Sequence, residues 1–231
     1  MDQFLRTKLL LGEFAFERLR NQKVVIIGLG GVGSYAAESL ARSGVKHLVL
    51  IDYDTIDLTN LNRQIIATYD EIGCKKVDAM ERRIKKYRND ILITKIDMKV
   101  TEQNLSEILP LDSNYVVDAC DTISVKKQCI RYCIQNKIKL ISCMGTGNKL
   151  DPSKLKIMEI RKTSYDPIAK ILRKMVRDEQ IYKKIWVICS TELPIDTKTP
   201  IISSNAFVPA TAGLLAASFI VSDVIKNENR K

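Results

Sequence analysis

The chain has 231 residues, 45% of them hydrophobic, which allows one sizeable core and excludes a disordered polar segment. Its formal net charge of +10 suits a polyanionic partner, or else reflects only a lysine-rich composition. Six cysteines contain no Cys-x-x-Cys pair, so no structural zinc is expected, and Met1-Asp2-Gln3 opens no signal peptide, so reduced thiols in the cytoplasm are expected.

Apolar residues at helical spacing predict a lead-in helix over 4–19. A β-rich run over 23–27 ends in glycines, and a helix follows over 32–41. A second strand over 47–51 ends at Asp52. A charged amphipathic helix covers 75–87, a third strand 91–96, and a short helix 102–109. The fourth strand, 115–117, ends at Asp118. A helix over 125–136 carries Cys129 and Cys133 one turn apart, where core packing is the expected role. The fifth strand covers 139–142. Strands that are continuous apolar runs, alternating with helices, predict a parallel sheet covered on both faces.

After Gly147 the rhythm changes. Residues 154–160 read as extended, 166–177 as a basic helix and 185–189 as another strand, giving a mixed C-terminal half. The apolar stretch 206–221 contains Pro209, Thr211 and Ser218 and falls short of the roughly 20 residues of a membrane span. It reads as a buried helix starting near Pro209, with no membrane insertion. No linker or repeat divides the chain, so 1–231 reads as one α/β domain.

Gly28-Leu29-Gly30-Gly31-Val32-Gly33 fits G-x-G-x-x-G between strand and helix. Gly28 allows the turn, Gly30 and Gly31 let backbone approach a phosphate, and Gly33 allows close helix–strand packing. The helix N-terminus offers free N–H groups. Asp52, about 20 residues on, is placed to accept hydrogen bonds from a ribose. This is a Rossmann-like nucleotide site, and the motif alone leaves NAD and ATP open.

Asp54, Asn60, Arg63 and Gln64 follow the second strand, Lys76 opens the next helix, and Asp121 follows the fourth strand. In a parallel sheet these positions gather at the carboxyl edge. Two cations there suit attack at the α-phosphate of ATP, since Arg63 and Lys76 would stabilise the charge growing on pyrophosphate. Asp121 would hold Mg²⁺. Each residue also has a plainer role: Asn60 as a turn cap, Lys76 as a solvated lysine, Asp121 as a helix cap. Their conjunction beside the glycine loop favours the chemical one.

The ordered set Gly28-x-Gly-Gly-x-Gly-Ser34, Asp52-x-Asp54, Asn60-Leu-Asn-Arg63-Gln64, Gly73-x-Lys-Lys76 and Asp118-Ala-Cys-Asp121 resembles the ThiF/MoeB/HesA family, relatives of ubiquitin-activating enzymes. Within it, Phe4-Leu-Arg6-Thr7, Ser142 to Pro152, Lys162 to Pro167, Ser190-Thr-Glu192 and Val208 to Gly213 look like the tRNA threonylcarbamoyladenosine dehydratases. The resemblance implies that Asp52 binds ribose, that Asn60, Arg63 and Lys76 handle the triphosphate, and that Asp121 serves Mg²⁺. It implies that Arg6 reaches the ATP of a partner subunit in a homodimer. The implied reaction is ATP-dependent cyclisation of threonylcarbamoyladenosine at position 37 of tRNA, through an acyl-adenylate and with net loss of water. Sulfur-transfer accessory proteins are a further implied partner. Some family members use a cysteine near Cys189, which here follows an apolar run and reads as a buried strand residue.

Arg173, Lys174 and Arg177 crowd a basic segment that would track a tRNA backbone or simply form a solvated face. Three other functions compete. Activation of a ubiquitin-like sulfur carrier at its C-terminus shares the chemistry, but the missing zinc cysteines and the charge favour tRNA. A dinucleotide-binding oxidoreductase has little use for Arg63 and Lys76, and a non-catalytic scaffold need not keep Asn60, Arg63, Lys76 and Asp121 together.

Overall fold

In the computed structural model, which describes residues 2–226, strands β1 (Lys23–Ile27) and β2 (His47–Ile51) are buried at every position after the first. Their side chains divide by alternation, as strand geometry requires. Val24, Ile26, Leu48 and Leu50 join one core cluster with Leu40, Ala216 and Ile220. Val25, Ile27, Val49 and Ile51 join another on the opposite face with Val125, Cys129 and Cys133. Burial of each such Val, Leu or Ile contributes roughly 1.5–3 kcal/mol.

The remaining strands are β3 (Leu92–Ile96), β4 (Tyr115–Asp118), β5 (Lys139–Cys143), β6 (Leu155–Glu159) and β7 (Trp186–Ser190). The seven form one sheet in the order β3-β2-β1-β4-β5-β7-β6. All pairs are parallel except β6 with β7, which is antiparallel. The protein is therefore the expected α/β, Rossmann-like fold with a mixed C-terminal end. Strand order reverses beside β1, between β2 and β4, and such a switch point opens a crevice at the carboxyl ends of the strands.

Helices α3 (Gly33–Ser43) and α8 (Phe207–Lys226) pack together on one face, while α5 (Leu105–Ile108) and α6 (Ile123–Gln135) cover the other. Helix α4 (Lys76–Lys85) joins the first face, and α7 (Pro167–Asp178) caps a third apolar cluster beside β7. Helix α8 is long and apolar enough to cross a membrane, yet half of its apolar window is buried inside the protein. It starts at Phe207 rather than at Pro209. The Asn205 side chain accepts hydrogen bonds from the N–H groups of Phe207 and Val208 and so caps the helix, and Pro209 lies in the first turn, where its missing N–H is no loss.

The expected helix over 4–19 is two helices, α1 (Leu5–Leu11) and α2 (Glu13–Arg20). Gly12 separates them with φ +82°, a left-handed backbone that only glycine adopts without strain. Helix α2 docks through Phe16 and Leu19, whereas α1 buries none of its own residues.

Candidate functional site

The loop from β1 to α3 is set by two glycines. Gly28 has φ +87°, and a Cβ there would lie 2.9 Å from the Ala119 carbonyl oxygen. A Cβ on Gly33 would overlap the Gly28 carbonyl oxygen itself. Gly30, by contrast, has open space on its Cβ side up to the Gln64 amide, 3.9 Å away. That is room for a phosphate against the free N–H groups of the α3 N-terminus.

A cleft of about 510 Å³ opens over this loop. Among the sequence-predicted residues it brings together Gly28, Gly30, Gly31, Asp52, Asp54, Asn60, Arg63, Gln64, Lys76 and Asp121. Gly33 does not line it and serves packing instead, because its Cα sits against Gly28. Arg6 does not line it either: it is exposed on α1.

The Asp52 carboxylate accepts from the Leu29 N–H at 2.6 Å and from the Asp54 N–H at 2.9 Å. Each oxygen keeps a lone pair for a ligand hydroxyl. The Asn60 side-chain Oδ1 accepts from the Asp57 N–H at 3.1 Å, closing a capping box over Leu58–Asn60. Its turn-capping role is thus real, and its NH₂ remains available to a ligand in the cleft. Gln64 is buried with no partner for its Oε1 among the described residues, an orphaned polar atom at the edge of the cleft. A bound ligand would satisfy it.

Lys76 is 6% exposed, and its Nζ lies 2.9 Å from Asp54 Oδ2. It is not one of the solvated lysines of its helix. Arg63 is half-buried and donates to the Thr59 carbonyl at 2.7 Å and to Asn62 Oδ1 at 2.8 Å. Asp54, burial, Asp121 and Asp52, in that order, push the Tyr53 phenol above its ordinary pKa. Three carboxylates, Asp52, Asp54 and Asp121, therefore line the cleft together with the cations Arg63, Lys76 and Lys99.

Sequence reasoning missed the support beneath this surface. Asp118, at the end of β4, is fully buried and paired with fully buried Lys126 of α6. Burial alone would lower the Lys126 pKa, but Asp118 more than offsets it and the ammonium stays charged. The available signal was periodicity: Lys126 shares a helix face with Cys129 and Cys133, and a lysine on a buried face needs an acid. A second buried pair, Lys149 and Asp166, joins the loop after β5 to the N-terminus of α7.

Two cysteines, Cys120 at the cleft and Cys189 on β7, carry thiols whose pKa is raised. Burial and then Asp118 push the Cys120 thiol up. Cys189 is 1% exposed on β7, and burial followed by Asp166 pushes its thiol up to about 11. A thiol with that pKa is protonated and weakly nucleophilic at neutral pH.

The ThiF family model matches residues 4–222. The chain belongs to the ThiF family. The tRNA threonylcarbamoyladenosine dehydratase of Bacillus subtilis is 39% identical, over 98% of this chain and 96% of that one. The crystal structure of Escherichia coli tRNA N6-threonylcarbamoyladenosine dehydratase, TcdA, in complex with ATP superposes with a TM-score of 0.93 at 33% identity, covering 99% of this chain and 96% of that one. The molybdopterin-synthase adenylyltransferase of Haemophilus influenzae is 36% identical over only 54% of this chain and 51% of its own length.

Of the basic residues in this ThiF-family chain, Lys174 and Arg177 are exposed on α7, while Arg173 is half-buried and donates to the Thr163 carbonyl and hydroxyl. Arg173 thus ties α7 to the turn before it.

Proposed function

We propose that this ThiF-family chain uses ATP to cyclise threonylcarbamoyladenosine in tRNA, with net loss of water. The observation that carries the reading is the cleft at the β1/β4 switch point, where Asp52, Asn60, Arg63, Lys76 and Asp121 converge, in a chain similar to a dehydratase from end to end. The adenylyltransferase likeness spans only about half of it.

ATP lies with its ribose at Asp52 and its phosphates over Gly30 and Gly31. The carboxylate of the modified threonine attacks the α-phosphorus, the bond to the β-phosphate oxygen breaks, and pyrophosphate leaves. Arg63 and Lys76 stabilise the charge that accumulates on the phosphates during this step. A nucleophile within the modification then attacks the activated carbonyl carbon, and AMP leaves with the former carboxylate oxygen. No enzyme nucleophile is required, because the attacking group is already tethered.

Among the described residues no three His, Cys, Asp or Glu side chains cluster as a metal cage. One carboxylate fits Mg²⁺ all the same, since this ion is held by one or two carboxylates plus substrate phosphates and water. Asp121, exposed at the cleft edge, is the residue that would hold it, and the ion when bound would neutralise phosphate charge.

The same reading makes the protein a cytoplasmic homodimer. Helix α1 presents Leu9 and Leu10, 77% and 83% exposed, alongside Arg6. A second copy would cover this apolar face and receive Arg6 at its nucleotide.

The test is AMP release from ATP with purified protein and Mg²⁺, with and without tRNA carrying threonylcarbamoyladenosine. Release that depends on this tRNA supports the reading. Release only with a ubiquitin-like carrier would move the chain to the sulfur-carrier branch.

A further inference from the structure

We propose that the groove along α7 docks the single-stranded loop of the RNA substrate, its backbone on Lys170, Lys174 and Arg177 and a base on Tyr182. The inference rests on the tRNA reading above.

The groove encloses about 930 Å³ between α7 and the turn that follows it. Five cations line it, Arg161, Lys170, Arg173, Lys174 and Arg177, and no acid does. Two of the five are tied into the fold: Arg173 to Thr163, and Arg161 to the Ile181 carbonyl. The other three stand at i, i+4 and i+7, one stripe of a helix. The opposite face carries Ala169, Leu172, Met175 and Val176 into the core, so the stripe is held towards solvent.

The opposition to this charge is weak. Asp178 pairs with Lys174 at 2.5 Å and with Arg177 at 3.4 Å, but all three side chains are largely exposed. Exposed pairs of this kind contribute little and exchange readily for phosphate. Lys170 has no acidic partner among the described residues.

An aromatic ring distinguishes this surface from a plain basic face. Tyr182 is 86% exposed at the groove wall, and Ile171 lines the same groove. Cations that follow a backbone, next to a ring open for stacking, are what unpaired RNA bases require. A duplex would use the cations and leave the ring idle.

The groove and the active cleft are lined by consecutive residues of α7. Pro167, the first residue of α7, lines the groove, and Ile168, the next residue, lines the nucleotide cleft. The buried pair Lys149–Asp166 fixes this junction, with Asp166 capping α7 through the Ala169 N–H. This adjacency is what would let an RNA loop seated in the groove present its modified base towards the cleft.

The test uses the full-length protein and a labelled stem-loop RNA carrying threonylcarbamoyladenosine, with anisotropy read across a salt series. In Lys170→Gln/Lys174→Gln/Arg177→Gln, affinity is expected to fall about tenfold or more, and the slope of log K against log salt to shrink by about 2. In Tyr182→Ala, affinity is expected to fall about fivefold or more with the slope unchanged. ATP affinity is expected to be unchanged in both variants, which also shows that they fold. Wild-type affinity and slope in the triple variant, while wild-type protein still releases AMP with this RNA, would overturn the groove assignment, leave the proposed function standing and point to an acidic protein partner. A wild-type protein that neither binds this RNA nor releases AMP with it would overturn both.

Discussion

Lys126 and Asp118 form a fully buried ion pair beneath the nucleotide cleft, with Nζ 3.1 Å from each carboxylate oxygen. The ammonium also donates to the Cys143 carbonyl at 2.7 Å, and the Ser142 hydroxyl donates to Asp118 Oδ2 at 2.5 Å. The network binds α6 to the carboxyl ends of β4 and β5. It also holds the start of the loop that carries Asp121, because the Cys120 N–H meets Asp118 Oδ1 at 3.3 Å.

Removing one partner should be severe. Lys126→Met leaves a buried carboxylate without its cation, a loss of about 3–5 kcal/mol. Urea denaturation measures it. Lys126→Met/Asp118→Asn is expected to recover part of the loss, because both charges are then gone, and a double variant no more stable than the single one would refute the pairing argument.

Arg63 is expected to act on rate more than on folding, since it is only half-buried and its bonds are to Thr59 and Asn62, which lie close by in sequence. Arg63→Ala should lower the rate of AMP formation about 100-fold, comparable with loss of one preorganised charge stabiliser. Its thermal midpoint should stay near that of the parent. Single-turnover kinetics would expose a misassignment as a near-normal rate.

Helix α8 braces the phosphate loop through a backbone approach at Gly213, where a Cβ would overlap the Val32 carbonyl oxygen. Gly213→Ala is expected to push α8 off α3 and to weaken both stability and ATP affinity. Overpacking of this kind costs about 1–3 kcal/mol. Isothermal titration with ATP at low temperature, where the variant stays folded, separates the two effects.

Cys189→Ala should form AMP at close to the parent rate, given a buried thiol whose pKa stands at about 11. A loss of tenfold or more, in a variant that still binds ATP, would require a covalent role that the burial of this thiol argues against.

Acid sensitivity has an identifiable contributor in Asp90. Burial raises its pKa, but the guanidinium of buried Arg88, 2.8 Å away, outweighs that and leaves it below the ordinary carboxylate value. A lowered folded-state pKa means stability that is present above about pH 4 and lost as pH falls through the folded value. Asp90→Asn should therefore destabilise by about 1 kcal/mol at neutral pH, a modest figure because the pair is partly solvent-screened, and by less at pH 3. Thermal melts at the two pH values check the sign.

Much of this fold is legible in the sequence because parallel strands buried on both faces leave unbroken apolar runs. Strands β1 and β2 fall where those runs predict. Helices α1 and α2 read as one because Gly12 interrupts an apolar pattern that continues in phase across it, and periodicity does not register a change of backbone direction. The cleft residues were legible because the carboxyl edge of a parallel sheet collects whatever follows each strand, which is how Asp52, Lys76 and Asp121 come together. Lys126 and Lys149 were not, because the acids that stabilise them, Asp118 and Asp166, meet them only through the packing of α6 and α7. Arg173 looked like its neighbours in composition, and only the tertiary bond to Thr163 sets it apart.

Mass analysis of nucleosides from tRNA incubated with the protein, ATP and Mg²⁺ tests the proposed reaction at its product. Threonylcarbamoyladenosine is expected to be replaced by a nucleoside lighter by one water, with AMP formed in equal amount and neither product made without ATP. Unchanged threonylcarbamoyladenosine, with a protein that binds ATP normally, would contradict it.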